Sequence, residues 1–116
     1  MESIAFALPV LPGRTDADRA ALGSCRAGSR REAFQDARRR AGITREAVWM
    51  QRAAQGDLAV VYLEADDLGE AFELLATSAE PFDRWFRGHV RDVHGVTWDH
   101  RLLDVELLLD FDIDRT

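Results

Sequence analysis

The chain has 116 residues, 47% hydrophobic and 31% charged, and its 15 basic residues are all Arg, set against 21 acids and 3 His for a formal charge of −6. That length supports one domain, residues 1–116, burying roughly two thirds of its unfolded surface without a staple, and the lone Cys25 supplies neither a disulfide nor a CxxC pair. A chain without Lys has no Schiff base and no P-loop lysine, a net acidic chain does not suit general nucleic-acid binding, and no run of ~20 apolar residues or basic N-terminal start points to a membrane or export.

A cytoplasmic protein binding neither nucleic acid nor membrane is therefore the expectation. Charge is divided unevenly: ten Arg stand against six acids up to Gly56, and five Arg against fifteen acids from Asp57 onward. Arg30, Arg31 and the run Arg38-Arg39-Arg40 concentrate the basic half. Such a cluster suits an anionic ligand, but the commoner case is a solvated helix face of ion pairs, each contributing ~1 kcal/mol or less.

Ile4, Phe6 and Leu8 alternate with Ala5 and Ala7 before Pro9 and Pro12-Gly13, which predicts a first strand. Thr15 before Asp16-Ala17-Asp18 predicts an N-cap with an acidic first turn, and Ser29-Arg30-Arg31-Glu32 predicts a second helical piece that stops at Gly42. Glu46–Arg52 and Asp57–Ala65 read as two strands of a hairpin with Gly56 in the turn. Asp67-Leu68-Gly69-Glu70 opens an amphipathic helix carrying Ala71, Phe72 and Leu75, and Pro81 opens another through Trp85, Phe86 and Val90 to His94-Gly95. The cleanest alternation is the last: Val105, Leu107, Leu109, Phe111 and Ile113 against Asp104, Glu106, Asp110 and Asp112, which predicts a final strand with one apolar and one acidic face.

Strand, helix, strand, strand, helix, strand is the βαββαβ order of an α+β ferredoxin-like domain, in which both crossover helices lie on one face of a four-stranded antiparallel sheet. The other face is then bare. Leu58–Leu63 is apolar on both sides, so a second copy of the same sheet is the economical cover and a homodimer is expected. At this point the chain resembles the dimeric α+β-barrel superfamily over residues 4–113. The strings Gly42-Ile43-Thr44-Arg45-Glu46-Ala47, Tyr62-Leu63-Glu64-Ala65-Asp66-Asp67, Pro81-Phe82-Asp83-Arg84-Trp85-Phe86 and Val93-His94-Gly95-Val96 resemble an uncharacterised bacterial family within it. The resemblance implies no single reaction, because that superfamily includes cofactor-independent monooxygenases, haem-degrading enzymes, isomerases and proteins of no known activity.

Among residues able to carry chemistry, His89 stands out, since it falls between Trp85 and Phe86 on one side and Val90 and Val93 on the other in the apolar stripe of its helix. It is the candidate catalytic base or haem ligand, with a packed core imidazole as the plainer explanation. Trp49 and Tyr62 on the hairpin, with Trp85, Phe86 and His89 on the helix, are the candidate ligand-binding set for a flat apolar molecule, although core or dimer packing explains the aromatics equally. His94 reads as a helix C-terminal cap and His100 as a solvated residue beside Asp99 and Arg101. A joint zinc site of His89, His94, His100 and Asp99 matches no ligand spacing, so neither a metal nor a cofactor is expected. Asp66-Asp67 reads as a helix start, Asp110, Asp112 and Asp114 as a solvated strand face, and Cys25 as a buried structural thiol. The reading is a small homodimeric protein that binds an apolar or aromatic molecule, with a cofactor-independent monooxygenase or isomerase, or a haem-binding enzyme, using His89 as the alternative.

Overall fold

Alternation in the first segment places Ile4, Phe6 and Leu8 against the core and Ala5 and Ala7 outward, forming β1 (Glu2–Pro9) in the computed structural model, which describes residues 1–115. There follow α1 (Thr15–Ala27), α2 (Arg31–Ala41), β2 (Ile43–Gln51), β3 (Leu58–Ala65), α3 (Leu68–Thr77) and α4 (Pro81–His94), with a 3-10 turn at His100–Leu103 and another at Ile113–Arg115. The described residues are thus α+β, with four helices and an antiparallel sheet in the order β1-β3-β2. No described helix is long and apolar enough to cross a membrane.

Register decides which residues share a face. Phe6 pairs with Val61 and Val61 with Val48, and this face meets the helices through a core that includes Phe72 of α3 and Phe86 and Val90 of α4. Phe72 is 2% exposed, a burial that stabilises by about 1.5–3 kcal/mol. On the other face Ala5 and Ala47 flank Tyr62, and Ala7 and Trp49 flank Val60. This second face is only half-buried along β3, and Trp49 is 56% exposed.

Local chemistry accounts for most of the boundaries. Asp67 Oδ1 accepts from the Glu70 backbone N–H at 2.9 Å, as the box at the start of α3 predicts. Pro81 occupies the first turn of α4, and Gly42 and Gly95 end α2 and α4 in the left-handed conformation. Two predicted caps are not used. Thr15 lies inside α1 and its hydroxyl donates to Asp57 Oδ2 at 2.6 Å, tying the helix start to the hairpin end. Ser29 gives way to backbone bonds, because the N–H groups of Gly28 and Arg30 both reach Ser24 O and close the α1–α2 junction. A Cβ at Gly28 would lie 2.8 Å from Ser24 Cα, so that junction needs glycine.

The predicted final strand is the main correction: among the described residues the sheet has three strands and not four. Trp98 inserts into the core with its ring 5.1 Å from Phe72, 5.9 Å from Phe86 and 6.3 Å from Phe6. The chain then turns at Asp99, whose carboxylate accepts from the Arg101 N–H at 2.9 Å, and residues 104–112 pair with no strand. Leu107, Leu108 and Leu109 are 77–84% exposed. Alternation specifies that one face of this segment needs apolar cover; it does not specify which surface provides it.

Candidate functional site

The core-facing stripe of α1 is Asp18, the half-buried Leu22 and Cys25, spaced i, i+4 and i+7, so the helix directs a carboxylate where an apolar group is usual. Asp18 is 1% exposed. From the facing side α4 supplies His89, whose Nε2 donates to Asp18 Oδ1 at 2.8 Å. His94, the last residue of α4, brings its Nε2 to 3.7 Å from the same oxygen. Its Nδ1 is engaged elsewhere, 2.8 Å from the Pro9 carbonyl oxygen. A carbonyl only accepts, so His94 carries a proton on Nδ1.

Burial by itself pushes the Asp18 carboxyl up, but the hydrogen bond from His89 and the interaction with the neighbouring His94 ring outweigh that effect and hold it down at about 2. Asp18 is therefore a carboxylate at neutral pH. Only Oδ1 is provided for: Oδ2 is buried with no hydrogen-bond partner, and Trp98 Nε1 nearby is in the same condition. A half-open inner space of about 20 Å³ is lined by Asp18, His89, His94 and Trp98 and by apolar groups including Val61, Phe86 and Val90. Asp18, Leu22, Glu46 and Val48 also line a second, open cavity of about 680 Å³ between α1, the start of α2 and β2, which Phe34, Trp49 and Met50 complete.

The candidate ligand-binding residues are divided by the sheet. Trp85, Phe86 and His89 gather on α4, with the Trp85 and His89 rings stacked at 5.7 Å and the Arg30 guanidinium 4.0 Å from the Trp85 ring centre. Trp49 and Tyr62 lie on the opposite sheet face; Trp49 reaches the rim of the larger cavity, while Tyr62 lines neither and donates its hydroxyl to Glu64 Oε2. That hydrogen bond pushes the Tyr62 phenol up. The four-residue zinc combination does not assemble: His100 is exposed and Asp99 is engaged by Arg101, while His94 is 5% exposed and bonded to β1 instead of capping its own helix. Cys25 is buried as expected, and burial pushes its thiol up.

The basic run is also sorted by tertiary contacts. Arg39 pairs with Asp36 at 3.0 Å on the surface and Arg40 with Asp83 at 3.3 Å, but Arg38 is 5% exposed and does not belong to a solvated face. Its Nε donates to Glu46 Oε1 at 2.6 Å, and its guanidinium lies 4.7 Å from the Phe34 ring and 4.6 Å from the Phe86 ring. A buried pair of this kind fixes Glu46 at the junction of the two cavities.

Asp18, Glu46 and Trp98 are the residues that sequence reasoning passed over. Asp18 had a legible signal, since it shares its helical stripe with Leu22 and Cys25, but an acid in a first turn is also what a helix start prefers. Trp98 had none, sitting in an irregular stretch. No protein-family model, no curated protein and no solved structure matches this chain, so its function is argued from the geometry of this site.

Proposed function

We propose that this chain is a homodimeric α+β-barrel protein of the ferredoxin-like type that binds a small, flat, apolar or aromatic molecule in the cavity between α1, α2 and β2. The observation that carries the reading is the cavity itself, about 680 Å³ and lined by Leu22, Phe34, Val48 and Met50 with a few charged groups at fixed positions. Volumes of 300–1,000 Å³ with an apolar lining and few polar groups are usual for small-molecule sites. Asp18 and Glu46 stand where this cavity meets the inner space beside His89, so a molecule entering it reaches fixed hydrogen-bond acceptors. Support for the dimer comes from the half-covered sheet face around Val60, Tyr62 and Trp49, together with the exposed apolar side chains of residues 105–111.

The binding reading is tested by titrating the protein with 2-naphthol and following Trp fluorescence, because Trp49 lies at the cavity rim. Saturable quenching with one site per chain is expected, and Val48→Phe, which fills the cavity, is expected to abolish it. Quenching that is linear in naphthol, or unchanged in the Val48→Phe protein, would overturn the reading.

A further inference from the structure

We propose that Asp18, His89 and His94 form a binding site for one divalent transition-metal ion of the zinc class, with a position left open towards the inner space. The expectation of no metal rested on the spacing of His89, His94, His100 and Asp99, which matches no ligand pattern; the fold sets a single carboxylate from α1 in place of His100 and Asp99. One donor atom from each of Asp18, His89 and His94 lies within 4.8 Å of the others, and the ion would take the place of the proton that His89 Nε2 gives to Asp18, that proton being released to solvent or carried on Nδ1 instead. A zinc-class ion holds imidazole nitrogen and carboxylate oxygen at about 2.0–2.2 Å, which sets its donors roughly 3–3.6 Å apart. The separations of 2.8 and 3.7 Å between Asp18 Oδ1 and the two Nε2 atoms bracket that range, while the two imidazoles, within 4.8 Å of one another, close up to share one ion.

Three further features point to a cation. The Pro9 carbonyl engages His94 through Nδ1, so the ring turns Nε2 towards Asp18 Oδ1 at 3.7 Å, a gap too long for a direct hydrogen bond. A hydrogen bond from the remote ring nitrogen to a carbonyl is also what orients metal-bound imidazoles. Asp18 Oδ2 is a second buried acceptor with no donor, and an uncompensated carboxylate oxygen in an apolar surround is costly. The adjoining space of about 20 Å³ admits one water molecule, which needs roughly 10–15 Å³, as a fourth ligand. Two imidazoles and one carboxylate suit zinc, cobalt or iron in the divalent state better than magnesium or calcium, which take oxygen ligands.

This inference concerns the inner end of the cavity proposed to bind a small molecule, and it is tested with no organic ligand present, so either can fail while the other stands. Protein stripped with a chelator is titrated with Zn²⁺ by calorimetry and with Co²⁺ by visible absorption. One ion per chain is expected, with cobalt bands of a four- or five-coordinate site and a raised melting temperature. Asp18→Asn and His94→Gln are expected to weaken binding by more than the 10–100-fold typical of losing an outer-shell partner, while His100→Gln leaves it unchanged. Should the buried variants fail to fold, X-ray absorption of the zinc-loaded native chain decides, with two imidazoles in the first shell expected. Absence of binding to the native chain, binding lost in His100→Gln, binding that persists in folded Asp18→Asn, or a shell with fewer than two imidazoles would each overturn the proposal.

Discussion

Asp18 and His89, seventy-one positions apart in the chain, meet at 2.8 Å with both side chains nine-tenths or more buried. The pair ties α1 to α4 across the helical layer, and it leaves one carboxylate oxygen of Asp18 with no donor. In metal-free protein, His89→Leu removes the one short donor to a buried carboxylate. A loss of about 3 kcal/mol is expected by urea denaturation, within the range for stranding a buried charge. The double variant Asp18→Leu/His89→Leu is expected to lose less than the sum of the two single variants, because the second change removes the charge that the first had stranded. Additive losses would show that the pair is not coupled.

Arg38 and Glu46 make the second buried pair, at 2.6 Å with side chains 6% and 10% exposed. Arg38→Met strands Glu46 against Val48 and Phe86 and is expected to cost about 3–5 kcal/mol, whereas Arg38→Met/Glu46→Leu recovers most of that loss. Thermal denaturation of the three variants measures both effects. Equal stability of single and double variants would remove the argument from burial.

Light scattering at micromolar concentration tests the assembly. A dimer is expected, burying at least ~1,200 Å² in total. Replacing Leu107, Leu109 and Phe111, which are 71–84% exposed, together by Ser is expected to raise its dissociation constant while leaving the melting of the core unchanged. A native chain that stays monomeric would show that neither the half-covered sheet face nor this segment is an interface.

Asp99 supplies a pH prediction. Hydrogen bonds from the Arg101 side chain and backbone hold its carboxyl down at about 2. Its folded pKa lies below the unfolded value near 3.9, so its contribution is fully present above about pH 4 and is lost as the pH falls towards 2. An NMR titration of the Asp99 carboxyl should show a midpoint near 2. In Arg101→Ala the midpoint should return towards the ordinary range, and an unmoved midpoint would contradict this cause.

Local rules were legible wherever the deciding interaction is itself local. The period-2 pattern of Ile4, Phe6 and Leu8, the Asp67–Glu70 cap, Pro81 at the start of α4 and the left-handed glycines at 42 and 95 each act within a turn or two, and each is where the residues place it. The placement of His89 in the apolar stripe of α4 was legible for the same reason. Only the tertiary structure decided the rest. Asp18 meets His89 because α1 packs on α4, and His94 joins them because the Pro9 carbonyl holds its ring, contacts that span 71 and 85 positions. Trp49 and Tyr62 are kept apart from Trp85 and His89 by the sheet, whose two faces one sequence pattern fills with equally apolar groups. Residues 105–111 show the limit most plainly. Alternation prescribes an apolar face, but a strand also needs a neighbouring edge at the right distance, and within one chain the Trp98 anchor and the turn at Asp99 lead this segment away from the sheet.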